Sequence, residues 1–323
     1  FGPTVLSLAG FDVLPAHMTG RAFLGALDTS TRQYVFGHRD RVDEIIDMAR
    51  SVRSQDYLYI RNYMPHLGYN QQGAWIDQAD VRGEFYKLAA SGKASPAQGQ
   101  YLSNTRPPEE LYDCVKDPLN LNNLAYSLEH EATVIEMRER LHRHLIETRD
   151  LGLVPELELW RHARSMPPMQ WKSTKQFNPE TVLAAAELVG ADDYEAIAKN
   201  LGDQDPAIRY WGAVACSAAE SLPERLLEQL RQLFDDPSKA VSIEAANAVA
   251  RHAGDGVAME ALTRWFDHDD RTVVLHAARA IELLADPRSK DAVRGLAKKY
   301  QEEPGDLAWF IRFSTNGYLS RQD

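Results

Sequence analysis

The chain of 323 residues carries a formal net charge of −11, and its 44% hydrophobic and 26% charged residues are ordinary for a soluble globular protein. This charge argues against general binding to nucleic acid or to an anionic membrane, but it leaves room for a local basic pocket for a sulfated or phosphorylated ligand. Two cysteines, Cys114 and Cys216, build no disulfide framework, and no run of about 18 apolar residues predicts a transmembrane helix. At about 150 residues per domain, the length predicts two domains.

The first residues of the chain already predict a helix. Phe1 is the first residue, and residues 3–10 look like the first turns of an amphipathic helix, with no signal peptide ahead of them. We therefore expect that this sequence continues a longer protein.

Residues 33–40 and 48–65 predict strands, because both are short alternating runs of β-branched and aromatic residues. The second run contains a polar turn at 54–56 and therefore reads as a hairpin. Within it, Leu58 and Ile60 alternate with Tyr59 and Arg61, so we expect Arg61 on an exposed face.

A helix is predicted over residues 132–148. Its apolar residues recur at helical spacing. They are Val134, Met137, Leu141 and Leu145. Together with the strands, this helix predicts an α+β subdomain, a small antiparallel sheet with packed helices, over residues 1–165.

Three segments that begin at Asp205, Asp236 and Asp269 echo one another. Aligning Ile208, Val241 and Val273 gives spacings of 33 and 32 residues. Pairs of small residues then coincide, namely Gly212–Ala213, Ala245–Ala246 and Ala277–Ala278. Each echo follows another apolar-periodic stretch, so the unit is two helices, the second capped by an aspartate. This resembles HEAT-type repeats, and we predict an all-α HEAT-like solenoid over 181–323, joined by a linker at 166–180 that contains Trp171 and Phe177.

Residues 110–125 combine acidic residues and asparagines that could ligate calcium. Their spacing differs from an EF-hand, and there is no central glycine or terminal glutamate. We therefore interpret Asp117–Pro118 as the start of a turn that the asparagines cap, with Leu111, Leu121 and Leu124 anchored in a core.

The same stretch, ELYD…DP…NNLA, resembles the C-terminal signature of the sulfatase family, although Cys114 replaces an apolar residue and Leu119–Asn120 replace a charged pair. Residues 1–10, 18–24 and 137–150 are similar to further family segments in the same order. Within the family, 35–41 and 50–65 look most like the heparan N-sulfatase and related bacterial branch. The resemblance covers residues 1 to about 157.

The resemblance implies a formylglycine made from a Cys/Ser-x-Pro-x-Arg motif beside a calcium ion, and a periplasmic or extracellular location. The chain has one match, Ser221 to Arg225, but it lies within the repeats and lacks the family's following Thr-Gly. We interpret Ser221 as a helix cap and Pro223 as a first-turn residue. We therefore expect no catalytic residue and no cofactor in this chain, and place formylglycine and calcium in a missing N-terminal domain.

The resemblance also suggests that this region contributes to a pocket for a sulfated sugar. Clustered arginine and histidine at a strand end can bind sulfate through charge-assisted hydrogen bonds. The predicted substrate-binding residues are His38, Arg39, Arg41, Asp43, Glu44 and His66. The alternative is a solvated loop with internal ion pairs. Arg50, Arg53 and Arg61 are weaker candidates.

A second functional class stays open, a non-catalytic repeat module that presents its surface to a protein partner. Aspartates in the turns between the repeat helices would line one edge with negative charge. They are Asp203, Asp205, Asp235, Asp236, Asp267, Asp269 and Asp270. Cys216 is predicted to be buried and inert, Trp211 and Trp265 to be packing residues, and His252, His268 and His276 show no metal-ligand spacing.

Overall fold

The structure, a computed structural model, describes residues 1–18, 20–28 and 32–322. It is an α+β arrangement, as predicted. The strands are β1 (Val35–Arg39), β2 (Ala49–Arg53), β3 (Tyr57–Asn62) and β4 (Glu109–Asp113). The α-helices of the described residues are α1 (Gly2–Leu8), α2 (Asp80–Ser91), α3 (Pro96–Leu102), α4 (Glu131–Thr148), α5 (Glu156–Ala163), α6 (Pro168–Trp171), α7 (Pro179–Ala186), α8 (Tyr194–Leu201), α9 (Pro206–Ala218), α10 (Glu224–Gln232), α11 (Lys239–Ala253), α12 (Gly256–Thr263), α13 (Arg271–Leu284), α14 (Lys290–Tyr300) and α15 (Asp306–Leu319).

The four strands form one antiparallel sheet in the order β1-β2-β3-β4. The predicted hairpin between β2 and β3 is confirmed, and the Ser54 hydroxyl accepts a hydrogen bond from the backbone N–H of Tyr57 at 3.0 Å to close its turn. Val52, Tyr59 and Leu111 lie side by side across three strands and are fully buried. They form the core-facing row of the sheet.

Helix α4 covers that row. The prediction for this helix is confirmed at all four apolar positions, Val134, Met137, Leu141 and Leu145, which are buried. Because these positions recur every three or four residues, they form one stripe that packs on β2 and β3.

Arg61 contradicts the prediction of an exposed strand face, since only 3% of the residue is exposed. It shares the α4-facing side of β3 with Tyr59, while Leu58 and Ile60 are half-buried. Burial is possible because Glu187, just after α7, pairs with the guanidinium at 3.0 Å. The alternation of the strand was read correctly, but the buried face was not the more apolar one.

Residues 110–125 form the predicted turn. One Asp117 carboxylate oxygen accepts backbone hydrogen bonds from Leu121 and Asn122, each 2.7 Å long. The Asn123 side chain joins the turn to β4 through the N–H of Leu111 at 2.9 Å. Leu111 is buried, but Leu121 is 44% exposed, so it does not anchor the turn as expected.

The predicted helices of the repeat region are present at the expected positions. Each second helix, α9, α11 and α13, packs on the next and on the helix that precedes it, and α15 packs on α13 and α14. The paired small residues at the aligned positions are buried, which lets these helices approach closely.

An aspartate caps two of the three second helices, α9 and α13, although the cap of α13 is Asp270 and not Asp269, where the predicted segment begins. Asp205 and Asp270 accept hydrogen bonds from the first turns of α9 and α13, whereas Ser238 caps α11. Ser221 caps no helix, because α10 begins after Pro223 and has no side-chain cap. That expectation was wrong.

The aspartates between repeats do not form a free acidic edge. Several pair with a cation, namely Asp235 with Arg264, Asp236 with Arg209, Asp267 with Lys299 and Asp270 with Arg164. These aspartates cap helices or form ion pairs that join neighbouring elements.

One apolar core runs through both halves of the chain, from Met48 to Tyr318. Trp171 and Phe177, in the stretch predicted as a linker, are buried in it, and their rings stack at 5.5 Å. None of the helices in the described ranges is long and apolar enough to cross a membrane.

The N-terminal helix is amphipathic, but its polar side is buried and its apolar side is exposed. Thr4 and Ser7 are buried and accept backbone hydrogen bonds from Phe23 and Leu27. Large apolar side chains point outward instead, namely Phe1, Val5, Leu8, Phe11, Val13, Phe23 and Leu24, each more than half exposed. Thr19, within the quoted segment 18–24, lies outside the described residues.

Candidate functional site

A cleft of about 350 Å³ lies between the loop after β1, the segment before α5 and the helices α9 and α13. We call it the junction cleft. Its apolar lining includes Met48, Met64 and Val154, and its polar and charged lining comes from Asp40, Arg41, Asp47, Glu156 and His276. Segments that are far apart in the sequence, from residue 40 to residue 276, therefore build it together.

Arg41 and His276 converge on one carboxylate. The Arg41 guanidinium donates to both oxygens of Glu156 at 2.6 and 2.8 Å, and His276 Nε2 lies 3.0 Å from the Oε2 atom. Burial by itself would raise the pKa of Glu156, but the hydrogen bonds from His276 and Arg41 outweigh burial and hold that pKa well below its ordinary value. Glu156 is therefore an anion at neutral pH, and it neutralises Arg41.

Arg39 is in a different position. Its guanidinium lies 3.1 Å from Asp47, but Asp47 also binds the buried Arg106 guanidinium through both oxygens. The three side chains carry two positive charges and one negative charge. Because Arg39 is 45% exposed and Arg106 only 2%, the surplus cation is accessible at Arg39.

A second cluster fixes the loop to the sheet. Arg50 is almost fully buried and pairs with Asp150 at 2.6 Å and with Asp40 at 2.9 Å. Its guanidinium also donates to the carbonyl oxygens of Arg39 and Ala49. Arg50 thus holds the end of β1, where Arg39 lies, and the loop that carries Arg41 against the end of α4.

Gly152 gives a testable consequence of this packing. A Cβ atom built there would lie 1.7 Å from Arg50 Nη2 and 3.0 Å from Asp40 Oδ1. We expect Gly152→Ala to lower the free energy of unfolding by about 1–3 kcal/mol, because Arg50 must leave its carboxylates or the backbone must shift. Gly83→Ala is the matched control. It lies within α2 with open space around it, and should raise stability by about 0.5–1 kcal/mol. Urea unfolding of both variants measures the difference, and equal values would contradict the tight packing at Gly152.

The other predicted site residues lie elsewhere. His38 is on the exposed strand β1. Asp43 contributes only its backbone carbonyl, which accepts from Arg41. Glu44 is 1% exposed, accepts from the N–H of Ala74 at 2.7 Å, and has a pKa raised by burial.

His66 is also buried, and burial together with the nearby Arg251 and Arg106 lowers its pKa well below the ordinary value. It lines a smaller cavity of about 40 Å³ that Glu156 and His276 also line. His66 is therefore next to the junction cleft but not within it.

Sequence reasoning missed Glu156, His276 and Asp150. Glu156 follows Pro155 at the start of a helix, and His276 interrupts a row of apolar and small residues on α13. Neither signal indicates a contact with Arg41, because Glu156 lies 115 residues from Arg41 and 120 residues from His276 in the sequence. Only the folded arrangement shows the partnership.

Several candidates are excluded by their surroundings. No group of three or more histidine, cysteine, aspartate or glutamate side chains in the described ranges could hold a metal ion. Cys216 is fully buried, and burial raises the pKa of its thiol to about 12, so it is not a nucleophile. Trp211 and Trp265 pack against other residues, as predicted.

The fold is an α+β region in which the loop between β1 and β2 faces helices of the C-terminal half. About half of the chain is homologous to part of a sulfatase. Over 171 residues it is 36% identical to an ulvan-active sulfatase from Formosa agariphila, which is 52% of this chain and 28% of that protein. The chain therefore spans less than a third of the length of this relative. No family model matches the chain.

Proposed function

We propose that this chain is the C-terminal region of a sulfatase-like hydrolase that acts on a sulfated sugar. The observation that carries the proposal is the 36% identity to the ulvan-active sulfatase over 171 residues. The nucleophile and the metal would belong to a preceding domain, in which formylglycine and calcium do the chemistry. This chain would contribute binding and support.

The exposed apolar side chains around α1 support a further covering domain. Monomeric proteins rarely leave several large apolar residues of one segment in water. Seven such residues lie between Phe1 and Leu24. The relative has more than two thirds of its length outside the matched part, which is enough for a domain that would cover them.

Arg39 is the residue we propose for the substrate. Arg41, in the loop between β1 and β2, and Arg50, on β2, are neutralised by carboxylates, whereas Arg39, at the end of β1, keeps an accessible surplus charge. A guanidinium binds sulfate or carboxylate through two parallel hydrogen bonds. Of the other predicted residues, Arg41 would shape the cleft, His38 would lie nearby on β1, and Asp43, Glu44 and His66 would support the loop.

The helices from 181 to 323 would form a HEAT-like domain that supports the 1–165 region. The segment 166–180 would connect the two. The stacking of α9, α11 and α13 supports this arrangement. Recruitment of a protein partner by acidic turns is not favoured, since most of those aspartates already cap helices or pair with cations.

Arg39→Ala tests the pocket in the full-length enzyme. We expect KM for a sulfated ulvan oligosaccharide to rise about ten-fold with kcat within about two-fold, because one charge-assisted hydrogen bond in the ground state is lost. Arg53→Ala is the control, an exposed arginine at the end of β2, and should leave both constants unchanged. Steady-state sulfate release measures both. An unchanged KM for Arg39→Ala would remove this loop from the substrate pocket.

A further inference from the structure

A second groove, of about 450 Å³, lies between β1 and α4 and shares no residue with the junction cleft. We call it the basic groove. Arg21, Arg32, Arg140 and Arg143 line it, against one carboxylate, Glu147. This is a local excess of positive charge on a chain with a net charge of −11.

The arginines of the basic groove are not used to hold the fold. Within the described ranges, no ion pair involves Arg21, Arg32, Arg140 or Arg143. Arg39, Arg41, Arg50 and Arg61, in contrast, all bind carboxylates. Four arginines against one carboxylate leave an excess of like charge, and like charges repel one another, so an anionic ligand would relieve a cost that Glu147 alone does not offset.

Aromatic rings lie beside these charges. The Arg140 guanidinium lies 5.0 Å from the centre of the Tyr34 ring, which orients it. The Phe36 ring stacks on the His144 imidazole at 3.7 Å with an angle of 5°, and Phe36 is 39% exposed. Strand alternation places Tyr34 and Phe36 on the same side of β1, toward α4. The groove therefore offers flat apolar surface and guanidinium groups together.

We propose that the basic groove binds a sulfated polysaccharide chain, with the arginines on its sulfate groups and the rings against the apolar faces of its sugars. Arg140 and Arg143 are one helical turn apart on α4, so they present two guanidinium groups along one line. The groove would hold the polymer at a place separate from the cleft, and so raise the concentration of substrate near it.

A nucleic acid fits these observations less well. Screening confines the field of the groove to about 8 Å at physiological ionic strength, and the rest of an acidic chain repels a long phosphate backbone. Single-stranded nucleic acid binding uses an extended basic track. The choice of a sulfated glycan among short polyanions rests on the proposed function. The test of the groove, however, measures binding and does not depend on sulfatase activity.

The test is calorimetric titration of the intact protein with a sulfated ulvan oligosaccharide. We expect Arg143→Ala to raise Kd about ten-fold and Arg32→Ala/Arg143→Ala to raise it about 100-fold, with a weaker dependence of log Kd on log salt. Arg143→Lys should restore part of the loss, because it keeps the charge without the planar fork. Arg294→Ala is the control, an exposed arginine on α14 whose ion-pair partner, Asp291, lies 3.6 Å away, and it should leave Kd unchanged.

Three results would overturn the proposal. They are unchanged affinity in the arginine variants, equal affinity for the chemically desulfated oligosaccharide, and equal or tighter binding of single-stranded DNA of the same charge. The substituted arginines are exposed or unpaired, so thermal unfolding should be unaltered. The proposed pocket is tested by KM in Arg39→Ala and the basic groove by Kd in the Arg32 and Arg143 variants, so failure at the basic groove is distinguishable from failure of the proposed pocket.

Discussion

Replacing Arg61 by methionine is expected to lower the free energy of unfolding by about 3–5 kcal/mol. The substitution keeps the length of the side chain but leaves Glu187 without its main cation. It also removes donors to the carbonyl oxygens of Val189 at 2.7 Å and Pro108 at 3.1 Å. The Glu187 side chain is only 22% exposed, so the loss of its cation costs more than the loss of a surface pair. Denaturant unfolding followed by circular dichroism measures the change.

Arg53→Met is the matched control, because Arg53 ends β2 and is exposed. We expect a change of no more than about 0.5 kcal/mol there. In a double-mutant cycle, Arg61→Met and Glu187→Gln should show a coupling energy of about 0.5–3 kcal/mol, since the two groups touch. If Arg61→Met proves as mild as Arg53→Met, the sheet and α7 are not joined by this pair.

The same pair predicts an acid dependence. Burial would raise the pKa of Glu187, but Arg61, His142 and Tyr63 outweigh burial and lower it to about 2. An unfolded glutamate titrates near 4.3, so the stability that this group contributes is present above about pH 4.3 and is lost as the pH falls toward 2. The gap in unfolding free energy between the native protein and Arg61→Met should therefore narrow from pH 5 to pH 2. If the difference in unfolding free energy stayed constant with pH, Arg61 would not lower the pKa of Glu187.

Trp211→Ala is the second large expected effect, a loss of about 3–5 kcal/mol. Trp211 is 1% exposed, contacts the Tyr63 ring at 5.7 Å, and donates from Nε1 to the Leu153 carbonyl at 2.7 Å. It therefore joins the first repeat helix to both the end of β3 and the segment before α5. Truncation would leave a cavity and an unpaired carbonyl together.

Two further variants separate these contributions. Trp211→Phe keeps most of the apolar contact and should cost about 1–3 kcal/mol for the lost hydrogen bond and the smaller ring. Trp309→Ala, at a half-exposed tryptophan of α15, should cost no more than about 1 kcal/mol. Urea midpoints give the ranking. If Trp211→Ala and Trp309→Ala were equally mild, the repeat helices would not share a core with the sheet.

Local patterns were sufficient where each element is governed by its own periodicity. The hairpin of β2 and β3, the apolar stripe of α4 and the positions of the repeat helices all follow from spacing in the sequence. The start of the turn at 110–125 also follows, because Asp117 satisfies backbone groups four and five residues further along the chain. These structures depend on neighbours along the chain, and a sequence displays such neighbours directly.

The burial of charge depends on contacts between distant parts of the chain. Local patterns in the sequence predict the α+β region, the helices of the C-terminal half and the arginines around the end of β1. The sequence does not show that Arg61 is paired with Glu187, that Arg41 is neutralised by Glu156, or that the basic-groove arginines form no ion pair within the described part of the chain. Whether an arginine serves structure or stays available for a ligand depends on partners more than 100 residues away, and the alternation of one strand carries no information about them.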